Sequence, residues 1–321
     1  MVRHKDRADR ATVEGVLDPR TRRILDRLMS NGYLHSMQGC ISTGKEANVY
    51  HEEEEEELEV AIKIFKTSIL VFKDREKYVM GDYRFRKGYS KNPRRMVSLW
   101  AEKEFRNLKR MYLAGVPCPR PLLFRSHVLI MEFLGEGGEA APKLKDVKLD
   151  GQSWQESYRQ TFLIMRLLFH DCKLVHGDLS EYNLVYVRRK VMVIDVGQSV
   201  GPDHPCSLEF LRKDAVNVRN FFSSKGIPVL PLRSFFELVV SPSLSEETEE
   251  AAKEEETDQQ RSGQPLTRTE EAEHDVEEGV FLCSSFPQRL ADFKDAEREI
   301  EKLAEGREGQ DFRNYGVMTG M

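Results

Sequence analysis

The sequence predicts an α+β fold of two lobes, a small β-rich N-lobe with one main helix and a mostly helical C-lobe. Three observations predict it. Short β-rich runs and a long helical pattern occupy the first 134 residues, apolar residues recur mainly at helical spacing after Trp154, and a glycine-containing stretch from Gly135 to Gly138 lies between.

At 321 residues, 40% of them hydrophobic, the chain is long enough to bury a real core. Its 54 acidic and 49 basic residues leave a formal net charge of -5, so bulk charge does not favour wholesale nucleic-acid binding and any RNA contact must be a local patch. The five cysteines, Cys40, Cys118, Cys172, Cys206 and Cys283, form no Cys-x-x-Cys pair and leave an odd thiol in any pairing scheme, as expected of a reduced, cytoplasmic protein. A polar, basic start and the lack of about 18 consecutive apolar residues support neither secretion nor a membrane span.

Along the chain, a polar tail (1–16) precedes a helix opened by Asp18-Pro19, carried by Ile24, Leu25, Leu28 and Met29, and ended by Asn31-Gly32. β-rich runs at Asn48 to His51 and Val60 to Phe65 flank six glutamates, Glu52 to Glu57, whose mutual repulsion suits a solvated hairpin tip. Residues 66–96 are polar, basic and aromatic without steady period and read as a mobile insert. Trp100, Phe105, Leu108, Met111 and Tyr112 then mark the main helix, closed before Gly115-Val116-Pro117, and Leu122 to Arg125 and His127 to Met131 are further strands.

The first helix and N-lobe therefore span 17–134 and the C-lobe 135–241. The C-lobe should hold a helix from Trp154 to Asp171, paired strands at Leu184 to Val187 and Val191 to Ile194, and a helix through Leu208, Leu211, Ala215, Val218 and Phe222. Residues 242–279 are acidic and nearly free of aromatics, a composition expected to stay disordered, and 280–321 regains apolar residues that should pack back on the body.

The strongest chemical signal is His176-Gly177-Asp178-Leu179-Ser180-Glu181-Tyr182-Asn183, the His-x-Asp-(four residues)-Asn spacing of a phosphotransferase catalytic loop. Such chemistry needs an aspartate to orient the accepting hydroxyl and take its proton, here Asp178, and an amide oxygen five positions on to reach magnesium, here Asn183. The apolar run Val191 to Ile194 delivers Asp195 followed by Val196-Gly197, where a metal-binding aspartate belongs.

Upstream, Val60-Ala61-Ile62-Lys63 has the form of a strand carrying a lysine to the α and β phosphates of ATP. Glu104, beside apolar Phe105, is the expected carboxylate partner of Lys63, in preference to Glu102. Ser42-Thr43-Gly44-Lys45 precedes that strand where a phosphate-covering loop belongs, with Ser42, Thr43 and Lys45 as phosphate contacts. Glu132 and Leu134 follow the strand ending at Met131 and would offer backbone groups to the adenine edge.

Ser-Thr-Gly-Lys-Glu-Ala-Asn-Val-Tyr (42–50), Ala-Ile-Lys (61–63), Trp-Ala-Glu-Lys-Glu-Phe-Arg-Asn-Leu (100–108), the catalytic loop (176–183) and Ile-Asp-Val-Gly-Gln-Ser-Val (194–200) together resemble the RIO family of atypical serine/threonine kinases. The stretch Tyr83-Arg84-Phe85-Arg86 with Lys91-Asn92-Pro93-Arg94-Arg95, and the ending Tyr315 to Met321, resemble its first subfamily. The resemblance implies a bilobal protein-kinase-like fold, ATP and Mg2+ as cofactors, serine autophosphorylation, and a role in late cytoplasmic maturation of the small (40S) ribosomal subunit and its rRNA. It also implies an ATPase cycle with a phosphoryl intermediate on Asp195.

Three departures bear on this. Ser180 stands where ordinary protein kinases carry a lysine, no Ala-Pro-Glu segment follows Asp195, and Gly197 replaces the serine usual in the RIO pattern. One rival is a small-molecule kinase, which shares the His-x-Asp loop. Another is an RNA-binding assembly factor using ATP as a switch, with Arg84, Arg86, Lys87, Arg94 and Arg95 meeting phosphates of the pre-40S rRNA and interleaved aromatics stacking on bases.

Overall fold

The computed structural model describes residues 17–35, 40–44, 47–52, 59–67 and 93–242, with Tyr78 and Phe281. The polar tail, the glutamates from Glu53 onward, most of the 66–96 insert, and all but Phe281 of 243–321 lie outside the described residues, as does Lys45.

Helix α1 (Pro19–Ser30) starts where Asp18 Oδ1 accepts the backbone N–H groups of Arg20 and Thr21 at 3.1 and 2.8 Å, with Pro19 preset for the first turn. It lies on a five-stranded antiparallel sheet of order β1-β2-β3-β5-β4, comprising β1 (Cys40–Thr43), β2 (Ala47–Glu52), β3 (Val60–Phe65), β4 (Pro121–Arg125) and β5 (Val128–Glu132). Leu25 and Leu28 of α1 share a core with Tyr50, Val60, Ile62, Ile64, Val128 and Ile130. Strand alternation therefore turns Lys63 to the opposite face. Strand β1 carries no alternating apolar pattern, so its sequence does not announce it.

Helix α2 runs Pro93–Leu113, so the end of the expected insert, 93–96, is helical. Met96 and Val97, each 3% exposed, carry the buried stripe of Trp100 and Ala101 one turn upstream. Phe105 of α2 stacks on Phe124 of β4 with ring centroids 5.8 Å apart.

The chain divides into two compact units, one of Met1–Val147 with Asn183–Gln198, the other of Lys148–Tyr182 with Ser199–Met321. The first of these units takes in the expected N-lobe (17–134) together with residues up to Val147. The small hairpin β6 (Gly135–Glu136) and β7 (Glu139–Ala140), and the hairpin β8 (Leu184–Val187) and β9 (Lys190–Val193), go with the first unit. Backbone bonds hold the β8–β9 hairpin there: Tyr186 N–H donates to the Pro142 carbonyl at 3.0 Å and Val193 N–H to that of Pro117 at 2.9 Å.

The second unit holds α3 (Gly151–His170), α4 (Ser207–Ser224) and α5 (Leu232–Val240). Its core is aromatic, with Tyr158 of α3 against Phe222 and Phe235 at 5.3 and 6.0 Å. Phe281 rests on Phe236 at 5.4 Å, and its carbonyl accepts from Arg212 at 2.7 Å. Among the described residues no helix is long and apolar enough to cross a membrane.

Candidate active site

In the first unit, Lys63 is the charged residue in a strand otherwise apolar and buried throughout. Its ammonium donates to Glu104 Oε1 at 2.6 Å and to Asp195 Oδ1 at 3.1 Å. Burial works against the lysine charge, yet Asp195 and Glu104, by charge and by hydrogen bonds, carry its pKa well above the ordinary value. Lys63 is therefore a permanent cation at physiological pH. Glu102 instead pairs along the helix with Arg106 at 2.6 Å, with 28% of its side chain exposed.

Asp195 leaves β9 with a φ of 60°, a left-handed conformation that non-glycine residues adopt sparingly. The next turn (Val196–Gln198) is tied to α2, because Asn107 Nδ2 donates to the Val196 carbonyl at 2.9 Å. A Cβ at Gly197 would stand 3.1 Å from Trp100 Nε1 and 3.2 Å from Glu104 Oε2. The glycine thus lets the turn approach the helix that presents Glu104.

Asn183 precedes β8 and Asp195 follows β9, and the Leu184↔Val193 pairing brings the two strand ends together. Ile194 N–H donates to the Asn183 carbonyl at 3.0 Å. The Arg188–Arg189 turn, with φ of 47° and 66°, closes the hairpin in the twist that paired strands favour. Asn183 and Asp195 offer an amide oxygen and a carboxylate that is 50% exposed, hard donors of the kind that hold magnesium together with phosphate oxygens and water. Among the described residues there is no group of three or more His, Cys, Asp or Glu placed to hold a metal.

Ser42 and Thr43 are exposed at the end of β1, paired with Val49 and Asn48 of β2. Gly44 N–H donates to the Ala47 carbonyl at 2.9 Å and Lys66 Nζ to the Gly44 carbonyl at 2.6 Å, so the described part of the expected phosphate loop, Ser42 to Gly44, is held against β2 and β3. Glu132 N–H donates to the Arg120 carbonyl at 2.8 Å, and the Leu134 carbonyl accepts from Ala141 at 2.8 Å. The sheet thus commits the amide of Glu132 and the carbonyl of Leu134, which limits these residues, as base contacts, to the Glu132 carbonyl and the Leu134 N–H.

In the second unit, Asp178 lies on a loop gripped by α4. Asp214 accepts the N–H of Gly177 at Oδ2 and of Leu179 at Oδ1, both at 2.8 Å, and Asn217 Nδ2 donates to the Leu179 carbonyl at 3.1 Å. Gly177 takes a φ of 80°, which glycine allows at no steric cost. Burial pushes the Asp214 carboxyl up to about 7, against the two N–H groups, with Asp178 adding to the rise and Lys213 opposing it. Neither Asp214 nor Asn217 was singled out from sequence. The available signal was an aspartate within the apolar stripe Leu211, Ala215, Val218, where charge is rare unless it has a task.

Residues 48–235 match the family model described as the RIO domain. The chain is 46% identical over 321 residues to "Serine/threonine-protein kinase rio1" of Dictyostelium discoideum, covering 100% of this chain and 55% of that protein. It is 48% identical over 332 residues to "Serine/threonine-protein kinase RIO1" of Homo sapiens, covering 100% and 58%. The chain spans little more than half the length of these relatives. Among solved structures, the Rio2 kinase-ADP/Mg2+-phosphoaspartate complex from Chaetomium thermophilum matches with a TM-score of 0.51 at 21% identity, over 74% of this chain and 75% of that one. That likeness shows the fold to be protein-kinase-like.

Proposed function

Because the chain belongs to the RIO domain family, we propose that it is an atypical serine/threonine protein kinase and ATPase acting in the cytoplasm, in late maturation of the 40S ribosomal subunit and processing of its 18S rRNA. The relatives are named as serine/threonine-protein kinases. The observation that carries the catalytic part is the buried Lys63 held between Glu104 and Asp195.

In this reading Lys63 meets the α and β phosphates of ATP, and Ser42, Thr43 and Lys45 the outer phosphate oxygens. The Glu132 carbonyl and Leu134 N–H address the adenine edge. Asn183 and Asp195 would hold magnesium, which would neutralise charge on the phosphates. Asp178 orients the acceptor hydroxyl and takes its proton as the new P–O bond forms and the bond to the leaving ADP breaks.

Ser180 and the missing Ala-Pro-Glu segment favour ATP turnover over phosphorylation of peptides. The Chaetomium Rio2 kinase is described with ADP, Mg2+ and a phosphoaspartate. The corresponding step here is transfer of the γ-phosphoryl group to the Asp195 carboxylate with release of ADP, followed by attack of water on the acyl phosphate. The pre-40S particle is the proposed partner, with RNA contact through the basic, aromatic stretch containing Arg84, Arg86 and Lys87, which lies outside the described residues.

Incubation of the full chain with γ-labelled ATP and magnesium tests the intermediate. The expected label is released by hydroxylamine and missing from Asp195→Asn. A hydroxylamine-resistant label that persists in Asp195→Asn would rule out the aspartyl step.

A further inference from the structure

A cavity of about 340 Å³ opens in the first unit where the first turns of α1 and α2 meet the turn between β4 and β5. Arg20, Arg94 and Arg95 converge on it, the Ser98 and Ser126 hydroxyls edge it, and buried His127 forms part of its wall. Its volume falls within the roughly 300–1,000 Å³ of ligand sites.

A buried polar cluster braces the wall. Asp18 Oδ1 accepts the Thr21 hydroxyl at 2.8 Å, Thr21 Oγ1 lies 2.8 Å from His127 Nε2, and Asp18 also pairs with Arg94. Arg20 and Arg95 are exposed, and neither has an acidic partner among the described residues. Neither helix has an acidic residue in its first turn, so both positive dipole ends add to the field. Burial holds the His127 imidazole below the ordinary range, with Arg94 acting the same way and Asp18 against, so His127 brings no charge at neutral pH. Among the described residues, three guanidinium groups therefore stand against the one carboxylate of Asp18.

We propose that this pocket binds a phosphomonoester group, as carried by a phosphorylated serine or threonine side chain. The surplus of two positive charges matches such a group, which carries about -1.5 to -2 at neutral pH, whereas each phosphodiester of an RNA backbone carries one. Arginine forks suit the three terminal oxygens of a phosphomonoester, and a concave site suits a group borne at the tip of a side chain. Arg94 and Arg95, which the sequence offered to RNA, are thereby assigned a different ligand. The inference does not depend on catalysis, since the pocket contains none of the residues proposed to handle ATP.

The test is a fluorescence anisotropy titration of the phosphatase-treated full chain with a peptide bearing one phosphoserine, beside its unphosphorylated counterpart and the Arg20→Gln/Arg95→Gln double variant. Both arginines are exposed, so the variant should keep the wild-type Tm, and Arg94 stays in place because it pairs with Asp18. The phosphopeptide should bind about tenfold or more tighter than its counterpart, and the double variant should lose about tenfold or more. Repeating the titration after incubation with Mg-ATP separates two sources. In a chain shown by intact mass to have taken up phosphate, weakened binding places its own phosphorylated side chain in the pocket, and undiminished binding, or no uptake of phosphate at all, assigns the pocket to a phosphorylated partner. Equal binding of the two peptides, unchanged affinity in the variant, or displacement of the peptide by an RNA oligonucleotide without terminal phosphates at comparable concentration would overturn the proposal.

Discussion

Lys63 Nζ lies 2.6 Å from Glu104 Oε1, and the Glu104 side chain is 2% exposed. A charge so enclosed is tolerable because its partner is charged too, and removing either member leaves the other unpaired in a low dielectric.

Replacing Glu104 with Gln preserves shape and removes that charge. Lys63 then leans toward Asp195, its other carboxylate, and is misdirected for ATP. Steady-state kinetics of Glu104→Gln should show kcat/KM for ATP reduced about 10- to 100-fold. Glu102→Gln, which breaks only the surface pair with Arg106, should stay within about twofold of wild type.

Asp214 makes stability depend on pH in an unusual direction. Its folded pKa, about 7, exceeds the ordinary 3.8, so folding takes up a proton between those values. Its contribution is fully present below 3.8 and declines as pH rises toward 7. Denaturant titrations of wild type and Asp214→Asn should show the wild-type advantage shrinking across that window and levelling off above it. A constant difference would exclude the shift.

The approach of the Asp195 turn to α2 depends on the absence of a side chain at Gly197. Gly197→Val would drive methyl groups into Trp100 and Glu104 and should cost about 1–3 kcal/mol. Thermal unfolding measures it. Gly197→Ala should cost less, because its Cβ asks its neighbours for only a small displacement.

Asp18 caps α1 by accepting the backbone N–H groups of Arg20 and Thr21, and it also pairs with Arg94. Asp18→Ala should destabilise by about 1–2 kcal/mol from the cap alone. Chemical denaturation checks it, with Asp18→Asn expected to recover part of the loss.

Much of the candidate site was legible because the proposed phosphoryl transfer would demand particular residue types at particular spacings. The loop from His176 to Asn183, the strand ending at Lys63 and the strand before Asp195 each advertise a charged or amide group in a defined setting. Glu104 was readable from its place beside Phe105, since helical phase decides which carboxylate faces inward. Other features left less trace. Strand β1 is held by pairing with β2 and not by its own polar sequence. The first turn of α2 was hidden inside a basic stretch, although Met96 and Val97 continue the buried stripe. The pocket around Arg20 and Arg95 joins residues 75 positions apart, a proximity that no local pattern encodes.

Magnesium-dependent phosphate release from ATP by the full chain, measured beside Lys63→Met, Asp178→Asn and Asp195→Ala, tests the central claim most directly. Wild-type turnover falling about a hundredfold or more in each variant is the predicted result. Turnover at the wild-type rate in Asp178→Asn and Asp195→Ala would contradict the catalytic assignment and leave ATP a bound switch.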